Sequence, residues 1–157
     1  MAEKVSVEHI NPFLLSAGQI LEQVCGIKTK IGQISKDNIG IDGEPLFIML
    51  GVTGEMTGQV CIVFDESVAK DIASKMMMGM PVPEIDDMAK SALSELGNMI
   101  MGNAATLLSN SNLMIDITPP TLGTGKAKLV SPNITSIKVP LVYDGGEIRL
   151  FFLLRLA

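Results

Sequence analysis

Two side chains three positions apart, Glu95 and Asn98, are the strongest candidates for chemistry in the sequence. On a helix, residues i and i+3 lie side by side, so this spacing sets a carboxylate next to an amide. A carboxylate can pair with a cation, while an amide donates and accepts at once and can hold a water against a second group. Ser91 and Gly102 fall on the same stripe, one turn to either side. Gly102, and Gly97 between the pair, each lower helix propensity by about 1 kcal/mol. Their expected gain is steric, since another backbone can come close. The plain alternative is a solvated helix face, because Glu and Asn at this spacing occur on many helices by chance.

Other chemistries are poorly supplied. Cys25 and Cys61 are far apart, in apolar surroundings and without a C-x-x-C pattern, which reads as buried free thiols. Two cysteines and the lone His9 cannot build a zinc site without carboxylates, and no metal site is expected. His9 would need a distant Ser or Cys to form a catalytic pair. The run from Gly123 to Lys126 departs from a phosphate loop, with Pro120 where the first glycine belongs and Ala127 in place of Ser or Thr. Asp86 and Asp87 read as helix-dipole partners, and Met76–Met78 with Met80 as helix-end core packing rather than an adaptable binding surface.

The charge balance removes further classes. Twelve Lys and Arg against 17 Asp and Glu give a net charge of −5, and no basic cluster exists. With no Trp and one Tyr, neither phosphate neutralisation nor base stacking is available, so no nucleic acid is expected. Apolar runs such as 46–52 and 150–154 fall short of the ~18 residues of a membrane span. No secretory h-region is visible, and the unpaired cysteines point to a reducing cytoplasm.

The elements that must position Glu95 and Asn98 follow from periodicity. Residues 9–25 read as a first helix with Pro12 in its first turn and Gly26 as its stop. Residues 27–35 alternate as a strand, and 46–53 with 56–64 form a hairpin about Gly54-Glu55. Asp65 can cap a second helix over 66–78. A long third helix over 84–109 carries the candidate pair, with Glu84, Asp86 and Asp87 in its first turn. At 100° per residue, Ile85, Met88, Ala92, Leu96, Met99, Asn103 and Leu107 make its expected core stripe, leaving Ser91, Glu95, Asn98 and Gly102 turned away. A short strand over 113–118 stops at Pro119-Pro120, 123–125 is an expected flexible loop, and strands follow over 126–130, 134–143 and 147–156. The last two are joined at Asp144-Gly145-Gly146. The final strand is apolar on both faces, so Phe151 and Leu153 need a cover from a helix or another subunit.

With 157 residues, one domain spanning 1–157 is expected. The order predicts an α+β fold, a two-layer arrangement of a mainly antiparallel sheet with helices packed on one face. A faint repeat supports an internal duplication of a helix plus strands: Gly18-Gln19-Ile20-Leu21 in the first helix matches Gly97-Asn98-Met99-Ile100 in the third. This match sets Ser16 and Gln19 where the third helix has Glu95 and Asn98.

The segment from Ser91 to Ser109 resembles the signature helix of the CheC/CheX/FliY phosphatases of bacterial chemotaxis. Their motif runs acidic residue or Ser, three residues, Glu, two residues, Asn, then Pro some 23 positions on. Ser91, Glu95 and Asn98 match, while Pro119 and Pro120 come slightly early. The opening Ile10-Asn11-Pro12-Phe13 is also similar to CheX proteins. One intact Glu-x-x-Asn copy, against two in CheC, places the chain nearest CheX. The resemblance implies a CheC-like fold, a homodimer, and hydrolysis of the phosphoaspartate of a CheY-type response-regulator receiver. It implies that Asn98 positions the attacking water, that Glu95 docks a receiver Lys, and that Ser91 and Gly102 line the docking surface. No cofactor of the chain's own is implied, the Mg2+ being supplied by the receiver. The competing expectation is a non-catalytic binding module of the flagellar-switch type that docks a receiver or scaffold. A third is a structural oligomer subunit whose helix face is only solvated.

Overall fold

Three long strands with near-continuous apolar runs, residues 46–50, 60–64 and 150–154, build the centre of an antiparallel sheet. The computed structural model describes residues 7–36, 39–41, 45–125, 127–129 and 136–156. Its elements are α1 (Val7–Cys25), β1 (Lys30–Ile31), β2 (Ser35–Lys36), β3 (Ile39–Ile41), β4 (Leu46–Gly54), β5 (Met56–Phe64) and α2 (Glu66–Met76). There follow α3 (Asp87–Asn110), β6 (Ile115–Ile117), β7 (Thr121–Thr124), β8 (Ala127–Leu129), β9 (Ile137–Tyr143) and β10 (Gly146–Leu156). One sheet runs β1-β9-β10-β5-β4-β6, with β2 also paired to β9 and β7 to β4, while β3 and β8 pair with each other. Every pairing is antiparallel. The α+β expectation is met.

Leu46, Ile48, Leu50 and Val52 of β4, Val60, Ile62 and Phe64 of β5, and Ile148, Leu150, Phe152 and Leu154 of β10 are buried in the main core. Phe13 of α1 sets its ring 5.6 Å from that of Phe152. Cys61, Val63, Phe151 and Leu153 lie at the alternate strand positions and form a second small core, with Phe47 and Met49 packed against it. The second face of β10 is therefore covered within the chain, and it gives no argument for another subunit. Asp71 of α2 latches the helix to β9: Tyr143 donates its hydroxyl to it at 2.7 Å and Lys75 its ammonium at 2.8 Å.

Several local expectations shift. α1 begins two residues earlier than expected, so Pro12 lies inside the helix. The expected strand over 27–35 is two short pieces. Gly32 donates its N–H to the carbonyl of Pro140 in register with β1, but Pro140 has no N–H to return, and pairing resumes at β2 one residue out of step. Asp65 does not cap α2 with its side chain; it pairs with Arg149 at 2.8 Å instead. Glu84 lies outside α3, whose N-cap Asp86 accepts from the Ala89 N–H at 2.8 Å. The expected loop over 123–125 is mostly strand: Gly123 belongs to β7 opposite Phe47. A Cβ there would stand 2.3 Å from the Phe47 ring, so glycine is required by that ring. Residues 126, 130, 134 and 135 of the expected strands lie outside the described residues.

The duplication is written into the topology. Exchanging β1/β2 with β6/β7, β3 with β8, β4 with β9 and β5 with β10 turns the strand order onto itself. Even the breaks correspond. Gly32 donates to Pro140 of β9, and Thr118, between β6 and β7, donates to Gly51 of β4. α1 and α3 pack together and run in opposite directions, α1 along β9 and α3 along β4; Ser16 donates to the Ile100 carbonyl and Asn103 to Gln19 between them.

Burial sets the correspondence between these two helices one residue away from the expected repeat. Phe13, Ser16, Ala17, Ile20 and Leu21 are all buried, and so are Leu93, Leu96, Gly97, Ile100 and Met101, each 80 positions on. By this register Asn11, Leu15, Gly18 and Glu22 correspond to Ser91, Glu95, Asn98 and Gly102. Ser16 and Gln19 do not occupy the place of a second site. Ser16 is fully buried and donates its hydroxyl to Ile100.

Candidate functional site

α3 carries the candidate residues because its two ends and its inner face are fixed. Asp86 caps the start. At the other end Asn112 takes a left-handed conformation (φ 64°) and Leu113 donates its N–H to Leu108 at 2.9 Å, a turn that favours Asn or Gly. The buried face is Ala89, Leu93, Leu96, Gly97, Ile100, Met101, Ala104 and Leu108. This is rotated by about 100° from the expected stripe. Met88 is exposed; Ile85, Ala92, Met99, Asn103 and Leu107 are only half-buried. The hydropathy pattern credits large Met88 and Met99 and ignores Gly97 and Ala104, whose small size lets the helix sit low on the sheet. A Cβ on Gly97 would lie 3.3 Å from Ile48 and 3.5 Å from Leu50. Gly97 thus serves the fold rather than a partner.

The expected outward face holds. Ser91, Glu95, Asn98 and Gly102 are all exposed. Neither the Glu95 carboxylate nor the Asn98 amide bonds another described residue, which leaves both free for a partner. The contrast with Asn103 is instructive. This second asparagine donates its amide to Gln19 of α1 at 3.1 Å and ties the two helices together. Gly102 has nothing within 4 Å of where a Cβ would stand, so no feature of the described chain requires glycine there.

A groove runs along one flank of this face. Asp87, Lys90, Ser91, Ser94, Glu95 and Asn98 line it from α3, and Pro120 and Leu122 from the other side. The prolines after the helix therefore have a place: Pro120 walls the groove opposite Asn98, although it comes early for the motif. Sequence reasoning missed Asp87, Lys90, Ser94 and Leu122 as lining residues. For Ser94 the signal was available, as it stands one turn before Asn98 and a helical side chain lies over the preceding turn.

The groups whose protonation is most disturbed lie away from α3. Burial pushes the Cys61 thiol up to about 12 and the half-buried Cys25 thiol up to about 11, so neither is a ready nucleophile. Hydrogen bonds from Lys75 and Tyr143 hold Asp71 below the usual carboxylate range. Among the described residues no three of His, Cys, Asp and Glu are grouped to hold a metal ion. No described helix is long and apolar enough to cross a membrane.

Set against known proteins, residues 46–142 match the family profile described as chemotaxis phosphatase CheX. The chain is also 31% identical over 132 residues to the CheY-P phosphatase CheX of Thermotoga maritima, covering 84% of this chain and 85% of that one. The chain belongs to the CheX family. Solved CheX structures agree in fold. One from Desulfovibrio desulfuricans superposes with a TM-score of 0.83 at 21% identity, over 96% of this chain and 99% of that one. The CheX of a Borrelia burgdorferi complex with CheY, BeF3 and Mg2+ superposes with a TM-score of 0.80 at 27% identity, over 95% and 99%.

Proposed function

We propose that this chain is a phosphatase that hydrolyses the phosphoaspartate of a CheY-type receiver domain. Family membership supports the reaction class, and the observation that carries the site is the free Glu95–Asn98 pair on the exposed face of α3. A phosphoryl group on a carboxylate is an acyl phosphate. Water attacks phosphorus in line, the P–O bond to the aspartyl carboxylate breaks, and inorganic phosphate leaves. Such transfers depend mostly on positioning and on stabilising charge. The Asn98 amide can accept a hydrogen bond from the attacking water through its oxygen while its N–H groups face a phosphoryl oxygen. A carboxylate in its place would repel the anion.

Glu95 has a different task. Its carboxylate pairs with a receiver ammonium and orients the partner, with Ser91 and Gly102 as further docking positions on the same face. The Mg2+ belongs to the receiver. In this chain the groove carboxylates Asp87 and Glu95 are two helical turns apart, about 12 Å along the axis, and do not make a cation site together. The free thiols and the CheY-type partner support a cytoplasmic location. Residues 1–157 act as one unit, and two copies form a homodimer, as the resemblance implies. The apolar side chains Leu15 and Ile31, exposed on the α1 side, are consistent with a further contact surface.

The test is the decay of a phosphorylated CheY-type receiver, with and without this protein. Faster decay is expected in its presence. An unchanged decay together with retained receiver binding would instead favour a docking module of the flagellar-switch type. Sedimentation at micromolar concentration tests the dimer, and a species of 16.7 kDa alone would count against it.

A further inference from the structure

We infer that Met88, with Met78 and Met80 on the loop leading into α3, is an apolar docking surface for the receiver, extending the Glu95–Asn98 face toward the start of the helix. The inference rests on the proposed phosphatase reading and names the part of the chain that would hold the substrate protein. Its basis is exposure where none is expected. Met88 is 66% exposed, Met80 59% and Met78 97%. Met76 and Met77, just before them, pack against the core as helix-end residues should. The methionine run thus divides into an inward pair and an outward set.

Single exposed apolar side chains are ordinary; the position of this one is not. Met88 and Glu95 are seven residues apart, so on a helix of 3.6 residues per turn they point within about 20° of each other, separated by about 10 Å along the axis. Any partner that brings a cation to Glu95 lies over Met88 as well. Met78 and Met80 follow the end of α2, where Gly79 donates its N–H to Ser74, and the chain runs from there to Asp86, the cap of α3. The occupant is therefore the receiver already engaged by Glu95 and Asn98, through an apolar area beside its phosphorylation site. Methionine suits this use because its unbranched, polarisable side chain adapts to differing surfaces. Met88 is a specificity residue in this scheme, since it touches the partner away from the reacting atoms.

The experiment measures KM and kcat for dephosphorylation of a CheY-type receiver phosphorylated with acetyl phosphate. Variants are Met88→Glu, Met88→Ala and Met88→Leu in the full chain, with Asn98→Ala as the control. Met88→Glu should raise KM at least tenfold and Met88→Ala about fivefold, with kcat within twofold of the original. Met88→Leu should stay within twofold in both, and Met78→Ala with Met80→Ala should raise KM by a smaller factor than Met88→Ala. An unchanged KM in Met88→Glu overturns the inference, as does a change in kcat alone. Sedimentation of Met88→Glu separates a second occupant: a shift in oligomeric state without a change in KM assigns the surface to another copy of this chain. If Asn98→Ala also turns over at the original rate, the phosphatase site itself is misplaced, a different failure from an indifferent Met88.

Discussion

The groove beside α3 has a twin beside α1. Its lining from α1 includes Asn11, Leu14, Leu15 and Gly18, and each stands 80 positions before a residue of the α3 groove: Ser91, Ser94, Glu95 and Asn98. Both helices press a small buried residue, Ala17 or Gly97, at the corresponding position. The backbone therefore offers the same concave surface twice; Asn11, Gln19 and Glu22 also line the α1 copy, but only the α3 copy carries an acid and an amide at the positions of Glu95 and Asn98. In the other, leucine and glycine replace them. Fold and chemistry separate cleanly here: the duplicated half-domain makes two grooves, and a few side chains decide which one can act.

The largest effect expected on activity is from Asn98→Ala. An exposed helix position tolerates alanine, so the fold and receiver binding should remain while dephosphorylation falls more than tenfold, or more than about 1.4 kcal/mol of barrier. The parallel change in the twin groove, Gly18→Ala, should leave the rate alone. Glu95→Ala should act mainly through KM. Lost turnover with unchanged binding would move Glu95 into the chemical step.

The register between the two helices can be broken next. Ser16→Glu would bury an unpaired charge where Ser16 now has no exposure, a change expected to cost about 3 kcal/mol or more. Its readout is a lowered midpoint in urea. If Ser16→Glu left stability untouched, the correspondence of 16 to 96 would be wrong and the one-residue-shifted alternative would return. The complementary graft, Leu15→Glu with Gly18→Asn in the Asn98→Ala background, uses exposed or half-exposed positions. It should restore weak activity, because the side chains then sit on the equivalent face. Complete inactivity of a folded, receiver-binding graft would show that Ser94 and the Pro120 wall are indispensable, and not just the acid and amide.

This register also shows what could be read from the sequence. The hairpins, the three helices and the exposed Glu95–Asn98 face were legible because short apolar runs bounded by turns and helix periodicity report burial directly. The one-residue slip was not. Matching Gly18 to Gly97 compares identical letters, yet Gly97 is glycine because it touches Ile48 and Leu50, and its true counterpart is Ala17. The core stripe of α3 was misjudged for the same reason, since a helix lying close on a sheet buries Gly and Ala, which hydropathy undervalues. Met88 could not be recognised as exposed until that rotation was known. The groove's far wall, Pro120 and Leu122, comes from a strand pairing with β4 that no local pattern announces.

The smallest effect concerns Gly102, where two properties should move in opposite directions. An exposed glycine within a helix costs about 0.5–1 kcal/mol against alanine, and nothing in the described chain stands within 4 Å of the missing Cβ. The corresponding residue of the twin helix is Glu22, exposed and within α1, so this helical position accepts a full side chain where no partner comes. Gly102→Ala should therefore raise the urea midpoint modestly. If the glycine is kept for close approach of the receiver, the same variant should bind the phosphorylated receiver more weakly, with kcat little changed. A stabilised variant that binds as tightly as before would remove Gly102 from the docking surface and leave Met88, Ser91 and Glu95 to define it.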